Sequence, residues 1–527
     1  MQQRISIKLT PTEAANAAII KSYVATHLVI NENNISGFYK IKESIDARSR
    51  HQIWINLTLH VFIDEPYKQR VVQQIQLKEI NQHSNSVIII GAGPAGLFAA
   101  LKLLEKGIKP IILERGKNVR ERRRDLATLN KEGIINPESN YCFGEGGAGT
   151  YSDGKLYTRS NKRGNIDSIL NCFVQFGADD KILYQAHPHI GTNKLPQIIT
   201  AMREAILNHG GEIYFNKKLI DFKIINNKIE TVLTSDGDEL KASHVILATG
   251  HSARDIYELL FQKNILIEPK PFALGVRIEH PQQIIDSCQY HLNNNYSRGE
   301  YLPPASYSLV EQVNGRGVFS FCMCPGGIIA PASTNANELV VNGWSPSKRN
   351  NEFANSGMVV TIETKDILDD CKKRNVPFNA LSLMYFQSAI EKKSFDFGGG
   401  KFVAPAQRVI DFCEGKTSNN LPNCSYLPGV HTEDLKNILP NFVHQALQKG
   451  IKEFGKRMKG YYTNEAIVVA TESRTSSPVR IPRDVENLHH PQIKNLYPCA
   501  EGAGYAGGIV SAAMDGERVA AIIAATI

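Results

Sequence analysis

The chain has 527 residues, 42% of them apolar and 21% charged, with a formal net charge of +8. This length allows two to four domains, and the composition is that of an ordinary globular protein rather than a fibrous or disordered one. Because no run of about eighteen apolar residues occurs and the first residues lack the apolar segment of a signal peptide, we expect a cytoplasmic protein without a membrane span.

The first 80 residues are predicted to form a small ferredoxin-like α+β domain. RISIKL alternates like a strand, and Thr10 followed by Pro11 is typical of the start of a helix. GFYKIKESIDA and IWINLTLHVFI then have the alternation and composition of strands. The polar stretch INQHSNS is interpreted as a linker to the next domain.

Residues 87–116 carry the strongest signal, a strand, a glycine-rich turn, a helix and a second strand. Gly91 would permit the tight turn, Gly93 would let a pyrophosphate approach the backbone, and Gly96 would let helix and strand pack closely. Glu114 lies about twenty residues beyond the first glycine, where a carboxylate accepts hydrogen bonds from a ribose. The segment therefore predicts a dinucleotide site, with the pyrophosphate at the start of the helix.

A basic helix and a glycine-rich segment follow. The run RERRR within NVRERRRDLATLNKEG is interpreted as a solvated helix face, and Asp153 and Lys155 as turn and surface residues. The segment FGEGGAGTYSDGKL, residues 143–156, contains four closely spaced glycines from Gly144 to Gly149. Because these residues lack side chains, the backbone can lie against a flat or anionic ligand.

The chain then leaves this unit twice. It returns first through VILATG at residues 245–250 and again at 495, where a strand precedes EGAGYAGG and a final helix. The residues between these returns contain strand-like segments separated by turns rich in proline and glycine, which indicates an antiparallel sheet.

This interrupted pattern resembles the two-domain FAD-binding proteins of the glutathione-reductase-like superfamily, second group. FGEGGAGTYSDGKL, HPHIGTNKL, CMCPGG, TSSPVRIPR and AEGAGYAGGI resemble more narrowly a bacterial family of FAD-dependent dehydrogenases. The resemblance implies FAD as cofactor and a discontinuous Rossmann-like FAD-binding domain with an inserted, mostly antiparallel substrate domain. The predicted bounds are 1–80 for the N-terminal domain, 86–254 and 465–527 for the two FAD-binding parts, and 255–464 for the substrate domain.

The sequence identifies no catalytic residues. No metal ligand is expected, because the nine cysteines lack C-x-x-C spacing. The glycine-rich turns and the resemblance together assign the residues that contact FAD. The cofactor-binding residues expected are Gly91, Gly93, Pro94, Ala95, Gly96, Glu114, Arg115, Gly146, Gly147, Leu219, Thr249, Gly250, Glu501, Gly502, Gly507, Gly508 and Ile509.

Several other residues have two interpretations. Cys322 and Cys324 would share a strand face, where they could react with a flavin or simply pack. His187, His189 and His251 could transfer protons or have structural roles. The loop TESRTSSPVRI offers Arg474 and Arg480 as groups that could stabilise a reduced flavin or hold an acidic substrate.

The expected function is hydride or electron transfer through FAD on a small-molecule substrate that the sequence does not identify. NAD(P)H is a candidate transient donor, because no second complete nucleotide-binding unit is found. The alternative is a flavoprotein of RNA modification or one that uses FAD structurally. We do not expect a nucleic-acid partner, because the N-terminal unit lacks the aromatic signature of an RNA-binding domain.

Overall fold

The computed structural model describes residues 1–81, 84–158, 164–292 and 297–527. The strands are β1 Gln2–Leu9, β2 Ile35–Asp46, β3 Trp54–Ile63, β4 Ser86–Ile90, β5 Lys109–Leu113, β6 Glu212–Tyr214, β7 Leu219–Ile225, β8 Lys228–Thr234, β9 Glu239–Lys241, β10 Val245–Leu247, β11 Glu268–Pro269, β12 Phe272–Pro281, β13 Val310–Val313, β14 Arg316–Cys324, β15 Ile328–Pro331, β16 Val341–Trp344, β17 Phe353–Ile362, β18 Ala404–Arg408, β19 Val430–Thr432, β20 Ile467–Glu472, β21 Val479–Arg480 and β22 Leu496–Pro498. The helices are α1 Pro11–Ala14, α2 Ala17–Leu28, α3 Pro94–Lys106, α4 Val119–Glu132, α5 Ile166–Gln175, α6 Leu195–Asn208, α7 Arg254–Gln262, α8 Gln282–Tyr290, α9 Thr364–Lys373, α10 Ser382–Asp396, α11 Val409–Glu414, α12 Asn441–Arg457 and α13 Ile509–Thr526. Among the helices of these ranges, none has the length and apolar character needed to span a bilayer.

The N-terminal unit is an antiparallel sheet in the order β1-β3-β2, with α1 and α2 between the first two strands. Alternate residues of β3, from Ile55 to Val61, are buried and pack in one apolar core with residues of the inserted sheet, such as Leu274. A complete ferredoxin-like unit has a second helix and a fourth strand. The described residues 64–81 add neither, so the unit corresponds to the strand-helix-strand-strand part with which that pattern begins.

A five-stranded parallel sheet forms the second unit, in the order β22-β10-β4-β5-β6. Its strands are short and apolar because helices cover them. Strand β22 pairs with β10, which pairs with β4. The two returns of the chain that the sequence predicted therefore complete one sheet, and α13 starts just beyond the last strand.

The inserted unit is a seven-stranded, mostly antiparallel sheet in the order β13-β14-β17-β12-β20-β18-β19. Its fifth strand, β20, comes from a segment that the sequence analysis assigned to the second FAD-binding part, beginning at 465. That assignment of β20 is corrected here, because its backbone pairs with β12 and β18 on either side. A buried apolar run such as Ile467–Ala470 looks alike in either sheet, so only the backbone pairing decides which sheet it joins.

Candidate functional site

One cavity of about 310 Å³ lies between the parallel sheet and the inserted sheet. The parallel sheet contributes its carboxyl ends and the turns that follow them, where open α/β sheets bind ligands. Thirteen of the predicted cofactor-binding residues line it, and they are Gly91, Gly93, Pro94, Ala95, Glu114, Arg115, Gly147, Leu219, Thr249, Gly250, Glu501, Gly508 and Ile509.

Four predicted residues do not line the cavity. A Cβ on Gly96 would overlap the carbonyl oxygen of Gly91, so this glycine serves the close packing of helix on turn. Gly146 has φ +78 and borders a small adjoining space instead. A Cβ on Gly502 would come within 2.6 Å of the carbonyl oxygen of Gly250, and one on Gly507 within 3.0 Å of the Glu501 carboxylate. These glycines lie outside the cavity lining and allow the segments that form its walls to pack closely.

Two helix N-termini open onto the same cavity. Helix α3 begins after Gly93 and α13 begins after Gly508, and neither N-cap provides a side-chain hydrogen bond to the first turn. The first N–H groups of a helix have no partner within the helix, and the helix dipole favours an anion beside them. Two such starts facing one cavity are suited to a pyrophosphate.

The close approach of these two helices depends on a glycine that the sequence analysis did not single out. Gly516 lies in the middle of α13, and a Cβ there would overlap the backbone carbonyl oxygen of Ala95 in α3. An ordinary helical residue would push the two helices apart.

Glu114 is buried at the end of β5, with 5% of its surface exposed. Its Oε2 accepts the N–H of Ala92 at 2.8 Å, and its Oε1 accepts those of Gly116 and Gly144 at 2.8 and 2.9 Å. A carboxylate offers about four lone-pair positions, so three are used by the loops and one can accept a ribose hydroxyl. Glu114 thus also fastens the two glycine-rich turns together.

Arg115, the next predicted residue, is held by ion pairs. Its guanidinium contacts Asp255 and, at 3.1 Å, Glu138, and it stacks over the ring of Phe143 at 4.4 Å. The side chain therefore forms a wall of the cavity with its charge already balanced.

The basic run in α4 is not simply a solvated face. Arg122 is fully buried and donates to five backbone carbonyls in and just before the glycine-rich segment, those of Asn140, Tyr141, Gly144, Glu145 and Gly147 at 2.8–3.2 Å. Burial lowers the pKa of this guanidinium. Its neighbours Arg123 and Arg124 are exposed, as predicted. Helical periodicity alone did not indicate which arginine faces inward, because the partners are backbone groups of a loop.

Asp153 and Lys155 are likewise not surface residues. Both line the cavity, and Asp153 is buried in a two-bond ion pair with Arg349, at 3.0 and 2.6 Å. The Nζ of Lys155 donates to the carbonyl oxygen of Met323 in the inserted sheet. The glycine-rich segment therefore connects the two sheets across the cavity.

Cys322 and Cys324 both line the cavity, but they do not share a regular strand face. The ladder between β14 and β17 is interrupted between Phe321 and Cys324, and Cys322 has φ +43. Surrounding protein raises the pKa of the Cys322 thiol to about 12 and that of Cys324 as well. Thiols in this state lack the thiolate form that reacts with flavins or disulfides.

We therefore predict that Cys322 reacts slowly with iodoacetamide at pH 8, on the order of a thousandfold more slowly than glutathione in the same solution. Because a raised pKa keeps the thiol protonated, the rate should climb steadily with pH and reach no plateau below pH 10. Peptide mass spectrometry of quenched samples measures it, and a plateau between about pH 8 and 9 would contradict the protonated state of this exposed thiol.

Of the three candidate histidines, only His251 lines the cavity. Its Nε2 lies 2.8 Å from the carbonyl oxygen of Arg474, which can only accept, so Nε2 carries the proton and Nδ1 is the basic atom of the neutral ring. His187 instead contacts the ring of Tyr157 edge to face, and His189 contacts the carbonyl oxygen of Ser347 at 3.2 Å. Burial lowers the pKa of His189 to about 4.

The two candidate arginines also differ in their position relative to the cavity. Arg474 lines the cavity and is paired with Glu391 at 2.9 Å and Glu338 at 3.3 Å, whereas Arg480 is exposed and stacks over Tyr505. Arg254 joins the same two carboxylates, and the two guanidiniums hold the pKa of Glu391 at about 2. This buried cluster fixes the position of the Arg474 backbone, which in turn orients His251.

Comparison with protein families gives three matches. Residues 84–254 match a family described as FAD binding domain, and residues 271–475 match one described as FAD-dependent protein, C-terminal domain-like. Residues 1–62 match a domain of unknown function.

A protein of Clostridium beijerinckii, named only "Uncharacterized protein", is 38% identical over 521 residues, which are 95% of each chain. Another relative, the "Dual trans-enoyl reductase/FAD-dependent monooxygenase tazHJ" of Aspergillus terreus, is 45% identical over 93 residues, 16% of this chain and 13% of that protein. Among solved structures, glycine oxidase from Bacillus cereus has 14% identity and a TM-score of 0.31, covering 84% of this chain and 96% of its own. That likeness is too distant for residues to be compared.

The residues of the cavity fit FAD. The starts of α3 and α13 can hold the pyrophosphate, Glu114 can accept a ribose hydroxyl, and Glu501 offers a carboxylate for another hydroxyl. A Cβ added at Gly147 would come within 3.2 Å of the Cα of Gly93. The glycine therefore keeps the backbone between these groups accessible to the cofactor. Together with the full-length relative and the matched domains, these observations show that the chain belongs to the family of FAD-dependent proteins that join an FAD-binding domain to this C-terminal domain.

Proposed function

We propose that the protein is an oxidoreductase of the dehydrogenase type, which moves electrons between FAD and a small organic molecule at the inserted-sheet end of the cavity. The observation that carries this proposal is the composition of the cavity. Groups suited to a dinucleotide line one part of it, whereas Cys322, Asn342 and Trp344 of the inserted sheet line another part that a dinucleotide motif does not explain.

FAD, when bound, supplies the electron-transfer chemistry, and the protein supplies position and protons. His251 is the residue we expect to hold or accept a proton at Nδ1, because its other nitrogen is fixed on the Arg474 carbonyl. The buried ionic cluster keeps that carbonyl in place. Most of the cavity lining is apolar, which strengthens charge interactions within it.

The proposal is tested by anaerobic reduction of the purified yellow protein, followed by its visible spectrum. NADH and NADPH are tried first as transient donors, and then small organic acids, alcohols and amines. Bleaching by one class of donor identifies the reductive substrate. A flavin that no donor reduces, although dithionite does, would count against an oxidoreductase and favour a structural FAD.

Monooxygenation is a second candidate, because the Aspergillus relative carries that activity in its name. Reoxidation of the reduced protein in air separates the two functions. Incorporation of labelled oxygen into a product would favour the monooxygenase, whereas hydrogen peroxide or a reduced acceptor without labelled product would favour the dehydrogenase. None of the matches described above supports the alternative of RNA modification.

Replacing His251 with glutamine is expected to slow reduction by the donor found in this screen about a hundredfold, the usual contribution of a positioned proton acceptor. FAD occupancy should stay at the wild-type level, because His251 contacts the Arg474 carbonyl and not the helix starts. Stopped-flow absorbance measures the rate. His187→Gln, outside the cavity lining, is the matched control, and an equal rate in both variants would remove His251 from the reaction.

A further inference from the structure

Lys155 differs from the other cations of the cavity in its contacts. Among the described residues, no carboxylate lies within ion-pair distance of its Nζ, which instead donates to the carbonyl oxygen of Met323. The other three cations that line the cavity are each paired with two carboxylates. These are Arg115 with Asp255 and Glu138, Lys217 with Asp236 and Asp238, and Arg474 with Glu338 and Glu391.

The position of this ammonium group is on the inserted-sheet side. Met323 lies in the irregular segment of β14, between Cys322 and Cys324, and β14 is a strand of the inserted sheet. The helix starts at Gly93 and Gly508 belong to the parallel-sheet unit. The backbone of Lys155 thus belongs to the glycine-rich segment, whereas its ammonium group lies against the inserted sheet.

The inserted unit contributes mostly apolar residues to the cavity that Lys155 lines. These are Phe321, Ala330, Ala332 and Trp344, and Asn342 adds one amide. The Oδ1 of Asn342 accepts from the N–H of Gly343 at 2.7 Å and from Arg277 at 3.4 Å, which leaves its Nδ2 as the donor that this amide can offer.

The acids nearby are already neutralised. Asp153 is paired with Arg349, and Glu472 lies behind the wall, paired with the buried Arg277 at 3.2 Å. This end of the cavity thus has one uncompensated positive charge in a setting of low polarity. A charge in such a setting gains most from an anion held by a charge-assisted hydrogen bond.

We propose that Lys155 binds the carboxylate of the substrate, which is a small carboxylic acid with an apolar or aromatic body. This inference rests on the proposed function, because it assumes that the inserted-sheet end of the cavity receives the substrate. The ammonium exchanges the Met323 carbonyl for the carboxylate, while the apolar wall buries the body of the acid.

The test uses the FAD-loaded full chain and needs no turnover. Benzoate, phenylacetate and 3-phenylpropionate are each titrated against the visible spectrum of the bound flavin, alongside their primary amides. We expect at least one acid to perturb the spectrum and to bind at least tenfold more tightly than its amide. Lys155→Gln should abolish that preference, whereas Lys348→Gln, which removes an exposed charge, should retain it.

Four results would overturn the inference. The first three are no spectral change with any acid up to its solubility, an equal affinity for acids and amides in the wild type, and a preference that survives Lys155→Gln. The first two need no variant, so they hold even if Lys155→Gln fails to fold. An altered flavin spectrum in the ligand-free Lys155→Gln protein would instead show that Lys155 contacts FAD, and would also refute it. A protein whose flavin no donor reduces refutes the proposed function separately.

Discussion

Replacing Arg122 with methionine is expected to lower the free energy of unfolding by at least about 3 kcal/mol and to release FAD. The buried guanidinium donates to five carbonyls in and just before the glycine-rich segment, and methionine, similar in length, leaves those oxygens without their donor. The loop that carries Gly147 and Lys155 would lose its shape. Denaturant unfolding followed by fluorescence measures the stability, and the ratio of flavin to protein absorbance measures the occupancy.

The control is Arg123→Met, one position along the same helix, where the side chain is exposed. It removes the same charge without touching the loop, so we expect a change within about 0.5 kcal/mol and full FAD occupancy. Equal effects of the two variants would show that the loss came from charge and helix propensity rather than from the loop contacts.

Replacing Gly516 with valine is expected to abolish FAD retention, even though glycine is a poor residue for the middle of a helix. Any Cβ at this position overlaps the Ala95 carbonyl, so α13 must move away from α3. We expect a loss of about 1–3 kcal/mol of stability, as for other overpacked cores. The larger effect should be on FAD, because the displacement separates the two helix starts.

Gly516→Ala tests whether even the smallest side chain at this position stabilises or destabilises the protein. Alanine should stabilise an unconstrained helix by about 1 kcal/mol, but here it should destabilise the protein and weaken FAD binding. Ala525→Val, which adds bulk at an exposed position near the end of the same helix, serves as the control and should bind FAD normally. A Gly516→Ala protein that is more stable than the wild type and fully loaded with FAD would contradict the packing account.

The parts of the fold that the sequence predicted are those with local signals. The turn from Gly91 to Gly96 lies between a strand and a helix, and its first glycine has φ +104. The spacing of its glycines therefore identifies the turn without knowledge of any residue far along the chain. Residues 245–250 and the start of α13 were recognisable for the same reason, and each of these three segments contributes residues to one cavity.

The parts that the sequence missed depend on partners far along the chain. Arg122 donates hydrogen bonds to backbone carbonyls about twenty residues further along the chain, and Asp153 forms an ion pair with Arg349 in the inserted unit. Strand β20 is buried along its whole length and begins with the apolar run Ile467–Ala470, so its composition does not tell which sheet it joins. Gly516 has no turn to mark it, and only the distance to α3 explains it.

The central claim is that the starts of α3 and α13 together hold the pyrophosphate of one FAD. An experimental structure of the FAD-loaded protein tests it most directly. The account predicts pyrophosphate oxygens within hydrogen-bond distance of first-turn N–H groups at both Ala95 and Ile509, with Glu114 on a ribose hydroxyl. A pyrophosphate that contacts only one helix, or an FAD bound outside this cavity, would contradict it.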